Sequence, residues 1–263
     1  MQETFHKTWK NSELSFKYSS KESDAANDKE FHCYHELIFF MDGTADFITE
    51  QNVHRLLPYT LIVLPKNTFH QLIVHGKYVR CVFQFENVSG LNTLIQQKFD
   101  SVQLIRKDEL TNLFLKYKNF TDLPLTPKEK DAFLTAFFTF VLIGIQKEDC
   151  AELSPCSFHP ITEKTIAYVN EHTATLTNVS ELSNLLSVSP SYLAHVFKAD
   201  MQIPLYSYLL NKKLLLAHKK LCAGIPANEA ALESGFNDYS GFYRQYKKKF
   251  GFPPSKTTSK NRK

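Results

Sequence analysis

Between Ser234 and Pro254 the chain reads SGFNDYSGFYRQYKKKFGFPP, with Arg244, Lys247, Lys248 and Lys249 interleaved among Phe242, Tyr246 and Phe250. A guanidinium can donate two parallel hydrogen bonds to a guanine edge, and lysine ammonium groups neutralise phosphates. Projected on a helix at about 100° per residue, Phe242, Tyr246 and Phe250 share one side. Ser240, Arg244 and Lys247 lie opposite, with Gly241 and Lys248 flanking them. The rings are therefore expected to be core, and the cations to be presented to a polyanion.

A second helix of the same design lies 49 residues upstream. Ser189-Pro190 supplies an N-cap and a first-turn proline. Leu193, Val196 and Phe197 then fall on one side, Ser191, His195 and Lys198 on the other, with Tyr192 and Ala199 flanking. Each of these helices needs a scaffold helix before it. Asn178-Val-Ser-Glu181 has the spacing of a capping box opening one of them, with an apolar stripe of Leu182, Leu185 and Leu186. Asn228 to Ser234 is the other, where Ala231 permits close packing and Gly235 makes the turn. The pattern predicts two helix-turn-helix units. PLYSYLLNKKLLLAHKKLC, from Pro204 to Cys222, reads as one helix closed by Gly224. At about 1.5 Å per residue it spans roughly 28 Å, close to the ~34 Å between major grooves on one DNA face.

Charge agrees with this division. From residue 160 onward 14 Lys/Arg face 7 Asp/Glu, a net +7, whereas residues 1–159 hold 17 against 20, a net −3. The C-terminal part is thus expected to meet phosphate.

The C-terminal region resembles the AraC/XylS family of bacterial transcription regulators over roughly residues 161–255. The family pattern A-x3-GF-x5-F-x3-[FY]K-x3-G-x2-P appears as Ala231, Gly235-Phe236, Phe242, Tyr246-Lys247, Gly251 and Pro254. ELSNLLSVSPSYLAHVFK is similarly characteristic of the first repeat. His195 and Lys213 stand where members usually carry Arg, and Ala227 and Ala230 replace larger aliphatics. The resemblance implies recognition of double-stranded DNA through the major groove. Arg244 would contact guanine, and Ser191, His195 and Ser240 would contact base edges. Tyr192 and Gly241 would permit close apolar approach, and Lys198, Lys247 and Lys248 would hold phosphates.

The N-terminal half is built differently. LSFKYSS, HELIFFM, TADFITE, TLIVLP, HQLIVHG and VRCVFQFE read as short strands of a sandwich or small barrel. From Leu91 to Lys147 the periodicity turns helical, with helices around 106–119 and 128–147. On the second, Phe133, Phe137, Phe140 and Ile143/Gly144 form a stripe, a pattern more often core than interface.

FHCYHELIFFMDG and LPKNTFHQL resemble the cupin-type regulatory domain that precedes this DNA-binding module in many regulators. Within that resemblance His32, Glu36 and His70 fall near cupin metal-ligand positions, and two His with a carboxylate suit iron or manganese. Yet Glu30 stands where the pattern wants a further His, and PKNTFH lacks the usual glycine. Regulatory members generally hold a small ligand and no metal. The resemblance therefore implies an effector site at His32, Tyr34, Glu36 and His70, with no metal and no cofactor. Polar residues satisfied within the fold are the alternative. Tyr34, Phe39, Phe47, Phe69, Phe83 and Phe85 would permit stacking on a sugar or similar metabolite.

The expected architecture is α+β: a cupin-like barrel with two following helices at 1–147 for sensing and dimerisation, a linker at 148–160, and an all-α domain of two helix-turn-helix units joined by a linker helix at 161–263. The expected function is ligand-responsive transcription regulation rather than catalysis, since no nucleophile triad, P-loop or dinucleotide fingerprint is present. A cupin enzyme with a DNA-binding appendage and a constitutive DNA-binding protein are the competing readings. A homodimer and contact with RNA polymerase are expected of the regulator. MQETFHKTWK is no signal sequence, and the apolar run Phe133–Ile145 is too short for a bilayer, so no membrane association is expected. Five irregularly spaced Cys point to reduced thiols and the cytoplasm.

Overall fold

The computed structural model describes residues 5–23, 28–30, 32–146, 157–176 and 178–260. The chain divides into two compact units, Met1–Cys156 and Ser157–Lys263. The expected linker falls mostly on residues 147–156, which lie outside that description.

The first unit contains β1 (Phe5–Lys10), β2 (Leu14–Ser23), β3 (Asp28–Glu30), β4 (His35–Asp42), β5 (Ala45–Thr49), β6 (Val53–Leu56), β7 (Thr60–Leu64), β8 (His70–Val74), β9 (Gly76–Phe85) and β10 (Gln103–Ile105). One sheet runs β1-β2-β9-β4-β7-β10, and a smaller one runs β3-β8-β5-β6. Alternation along the strands divides the interior. On β4, Ile38 and Phe40 join Phe47, Leu72 and Val82 in a layer drawn from both sheets. Leu37, Phe39 and Met41 point the other way, against the helices. Gly43 turns β4 into β5 at φ +107, where a Cβ would stand 2.6 Å from the Lys77 carbonyl oxygen.

The helices of this unit are α1 (Asn92–Lys98), α2 (Asp108–Tyr117) and α3 (Pro127–Gly144). A reciprocal capping box opens α3: Glu129 N–H donates to Thr126 Oγ1, and Thr126 N–H donates to Glu129 Oε2 at 2.7 Å. Phe114, Phe137 and Phe138 meet Phe83 on the large sheet, with ring centroids 5.2–6.2 Å apart. Each such buried ring contributes about 1.5–3 kcal/mol, so this seam anchors helices to sheet.

Three expectations need correcting here. The stretch from Leu91 to Lys147 is not wholly helical, because Gln103-Leu104-Ile105 pairs with β7 as strand β10. Three residues are too few to show a period of two. The apolar stripe on α3 is divided: Phe137 is buried, while Phe140 and Ile143 are 60% and 58% exposed. Finally, Phe39, Phe83 and Phe85 face the helices rather than the space between the sheets, so they are core and not a stacking surface.

The second unit is all-α among its described residues: α4 (Pro160–His172), α5 (Val179–Leu185), α6 (Pro190–Met201), α7 (Leu205–Cys222), α8 (Ala227–Leu232), α9 (Tyr239–Phe250) and α10 (Pro254–Lys260). Helix starts follow the cap residues. Asn178 Oδ1 accepts from Glu181 N–H, Ser189 Oγ from Tyr192 N–H, and Asp238 Oδ1 from Gly241 N–H. The stripe expected on α5 is shifted. Leu182 and Ser183 are buried and Leu185 is 56% exposed, because the covered arc of this short helix runs through the 182–183 side.

Candidate functional site

α5–α6 and α8–α9 form the two helix-turn-helix units, and their second helices present equivalent faces. On α6, Leu193, Phe197 and Met201 are buried, whereas Ser191, Tyr192, His195 and Lys198 are exposed. On α9, Phe242 and Tyr246 are buried, whereas Ser240, Arg244, Lys247 and Lys248 are exposed. Each expected contact on these faces except Gly241 is thus solvent-accessible. Gly241 is half-buried, and a side chain there would meet the Asp238 carboxylate at 2.8 Å. Its smallness serves the cap. Tyr243, which the sequence reading passed over, is exposed and lies on the same arc as Ser240, Arg244 and Lys247. Its spacing at i+3 from Ser240 is the signal that places it there.

α7 joins the two units. Its N-terminal half packs Tyr208 against Phe197, with ring centroids 5.3 Å apart. Its C-terminal half places Leu214, Ala217 and Leu221 among Ala230, Ala231, Phe242 and Tyr246. Midway, Lys213 is buried, and its Nζ donates to the Leu176 and Gly235 carbonyls, both at 2.8 Å. Burial holds its ammonium below the usual lysine range, with Glu181 opposing that shift.

A second polar constellation sits in the N-terminal unit. Glu36 on β4 and Gln84 on β9 are directly paired across the large sheet, and His70 starts β8 on the small one. His32 and Tyr34 come from the segment preceding β4, and their rings stack at 4.0 Å. His32 Nε2 and His70 Nε2 each lie 3.3 Å from Glu36 Oε2, while Gln84 Nε2 donates to Glu36 Oε1 at 2.7 Å. Burial pushes the Glu36 carboxyl up, but the two imidazoles outweigh it and hold it well below the usual carboxylate range. The structure therefore brings the four expected ligand-binding residues together. Where the second motif lacks its glycine, Asn67 takes the left-handed conformation, φ +64, and its N–H donates to the His32 carbonyl at 2.8 Å.

The donors are tightly closed in: His32, Glu36 and His70 are 6%, 3% and 2% exposed. His32 Nδ1 lies 2.8 Å from the Tyr34 carbonyl, an acceptor only, so Nδ1 carries a proton. Its Nε2 faces the Glu36 carboxylate oxygen at 3.3 Å.

Tandem helix-turn-helix units with exposed polar faces on their second helices define a DNA-binding module. A family described as "Helix-turn-helix domain" matches residues 182–260. The chain is 31% identical over 91 residues to the probable transcriptional regulator LumQ of Photobacterium leiognathi, covering 34% of this chain and 36% of that one. It is 23% identical over 237 residues to the Msm operon regulatory protein of Streptococcus mutans, covering 83% and 81% respectively. Among solved structures it resembles ToxT from Vibrio cholerae bound to an unsaturated fatty acid, at TM-score 0.40 and 14% identity, covering 98% and 97%. The C-terminal domain of AraT, a response regulator from Geobacillus stearothermophilus, is similar at TM-score 0.37 and 24% identity, covering 39% and 87%. Residues 182–260 of the C-terminal unit thus belong to an AraC-type helix-turn-helix domain.

Proposed function

We propose that the chain is an AraC-type transcription regulator, that it is sequence-specific, that α6 and α9 read neighbouring major-groove segments of one DNA molecule, and that the N-terminal unit binds a small effector that biases DNA binding. The observation that carries this reading is the matched pair of exposed faces, Ser191/His195/Lys198 and Ser240/Arg244/Lys247, each backed by buried rings or aliphatics. α7, at 18 residues and about 1.5 Å each, separates them by a distance suited to adjacent grooves. The effector site is assigned to His32, Tyr34, Glu36 and His70. The assignment gives the chain no reaction of its own, places it in the cytoplasm with its DNA, and includes RNA polymerase as a partner. No helix among the described residues is long and apolar enough to cross a membrane. Homodimerisation is assigned to the outer face of α3, where Ala132, Ala136, Phe140 and Ile143 are exposed.

A second reading concerns the occupant of the N-terminal cluster. Ligands about 2.1 Å from a transition-metal ion and 90–109° apart are separated by about 3.0–3.4 Å. The two Nε2–Oε2 distances of 3.3 Å fall in that range. The backbone carbonyl at His32 Nδ1 and the Gln84 amide at Glu36 Oε1 are the outer partners that ligating groups take. A donor set this closed suits a divalent ion better than a sugar, contrary to the metal-free pocket expected from the resemblance.

Selection of bound sites from random duplex DNA at two salt concentrations tests the DNA reading. The wild type is expected to enrich a bipartite motif. Arg244→Ala and His195→Ala should each relax a different half, at about 1–3 kcal/mol per lost base contact. Lys247→Ala should weaken all sequences alike and reduce the salt slope by about one unit. Sequence-blind binding indifferent to Arg244 and His195 overturns it.

A further inference from the structure

Lys213 stands where the turn leading into the first helix-turn-helix unit meets the turn of the second. Leu176 belongs to the turn leading from α4 into the first unit, and Gly235 to the turn between α8 and α9 of the second. The two turns abut: at Gly235, φ +80, a Cβ would lie 2.3 Å from the Ala174 carbonyl oxygen and 2.9 Å from Lys213 Nζ. One buried ammonium therefore donates to a carbonyl in the turn leading into the first unit and to one in the turn within the second, 2.8 Å on both sides.

A connector helix fixes how far apart its ends are. It does not by itself fix how each unit is rotated about those ends, since Tyr208 packs on Phe197 while Leu214, Ala217 and Leu221 pack on the second unit. Hydrogen bonds are directional, and a buried carbonyl left without a donor is costly. The Lys213 bridge penalises any relative rotation or slide that separates the two turns.

We infer that Lys213 is a positioning residue that locks α6 and α9 into one relative disposition, so that the protein accepts half-sites at a single spacing. The inference rests on the reading that both helices enter DNA. Lys213 itself is too buried to touch DNA, and its effect is exerted through the two carbonyls.

The test selects bound sites from random duplex DNA with the full chain as wild type, Lys213→Arg and Lys213→Met, thermal melting serving as the check on folding. The wild type is expected to return one half-site spacing. Lys213→Arg, which can still donate to both carbonyls, should return the same spacing. Lys213→Met should keep both half-site sequences but spread the spacing by about one or two base pairs. It should also lose about tenfold of the preference for two half-sites over one. An unchanged single spacing and preference in Lys213→Met overturns the inference. Failure of the wild type to select any bipartite motif overturns instead the reading that both helices bind.

A measurement on the wild-type junction keeps the inference falsifiable if Lys213→Met does not fold. Spin labels carried on encoded non-cysteine side chains at Ala194 and Lys248, both exposed, report the α6–α9 separation in the DNA-free chain. One narrow distance population is expected, and a broad or multiple distribution overturns the lock.

Discussion

His218 Nδ1 lies 2.5 Å from the Tyr246 hydroxyl, which is itself 2.7 Å from Thr257 Oγ1. This line of polar atoms ties α7, α9 and α10 together behind the exposed face of α9. Burial lowers the His218 pKa from 6.5 to about 4. In the unfolded chain the imidazole takes up a proton near pH 6.5, while in the fold it refuses one until about pH 4. The unfolded state thus binds more protons in that window, and stability falls as pH falls. The stabilisation is complete above about pH 6.5 and is lost towards pH 4, an effect of about 2–3 kcal/mol. Thermal melts of the C-terminal unit from pH 7.5 to 4 should show this loss, and His218→Asn, which keeps an acceptor towards Tyr246, should flatten it. An equally steep pH dependence in the variant would assign the effect to another group.

For the N-terminal cluster, metal-stripped protein titrated with Zn2+, Fe2+ and Mn2+ should bind one equivalent of at least one ion by calorimetry. Glu36→Gln should reduce that affinity at least about tenfold. The variant still packs an amide of the same shape, so loss of binding with an unchanged melting temperature would isolate the role of charge. Absence of binding by every ion would overturn the metal reading, and the effector assignment would stand alone.

The outer face of α3 carries the oligomerisation assignment. Phe140 and Ile143, 60% and 58% exposed, continue along the helix from Ala136 and Ala132. Phe140→Lys should shift sedimentation from dimer towards monomer without lowering the melting temperature, since the ring is outside the core. A dimer that survives both Phe140→Lys and Ile143→Lys would place the interface elsewhere.

Much of this architecture was legible from local signals. Ser189-Pro190, Thr126-Pro127 and Asn178 mark helix starts because capping is a property of a few neighbouring residues. The opposed faces of α6 and α9 followed from helical spacing alone. What escaped depends on distant partners. Lys213 is marked in the sequence only as a departure from an expected Arg, and its role emerges when the fold brings Leu176 and Gly235 to it. Gln84 enters the N-terminal cluster only through its register opposite Glu36. Tyr243 needed no distant partner: its helical angle alone puts it beside Arg244.

The offset of 49 residues between the recognition helices makes them equivalent in position but not in chemistry. His195 presents an imidazole where Arg244 presents a permanent guanidinium, and Ala194 stands where Tyr243 carries a ring. A symmetric pair of readers would fit a palindrome equally well in either direction. These two unlike readers, joined in fixed order on one chain, have no such ambiguity. On the proposed DNA reading, a bound C-terminal unit therefore points along the duplex like an arrow.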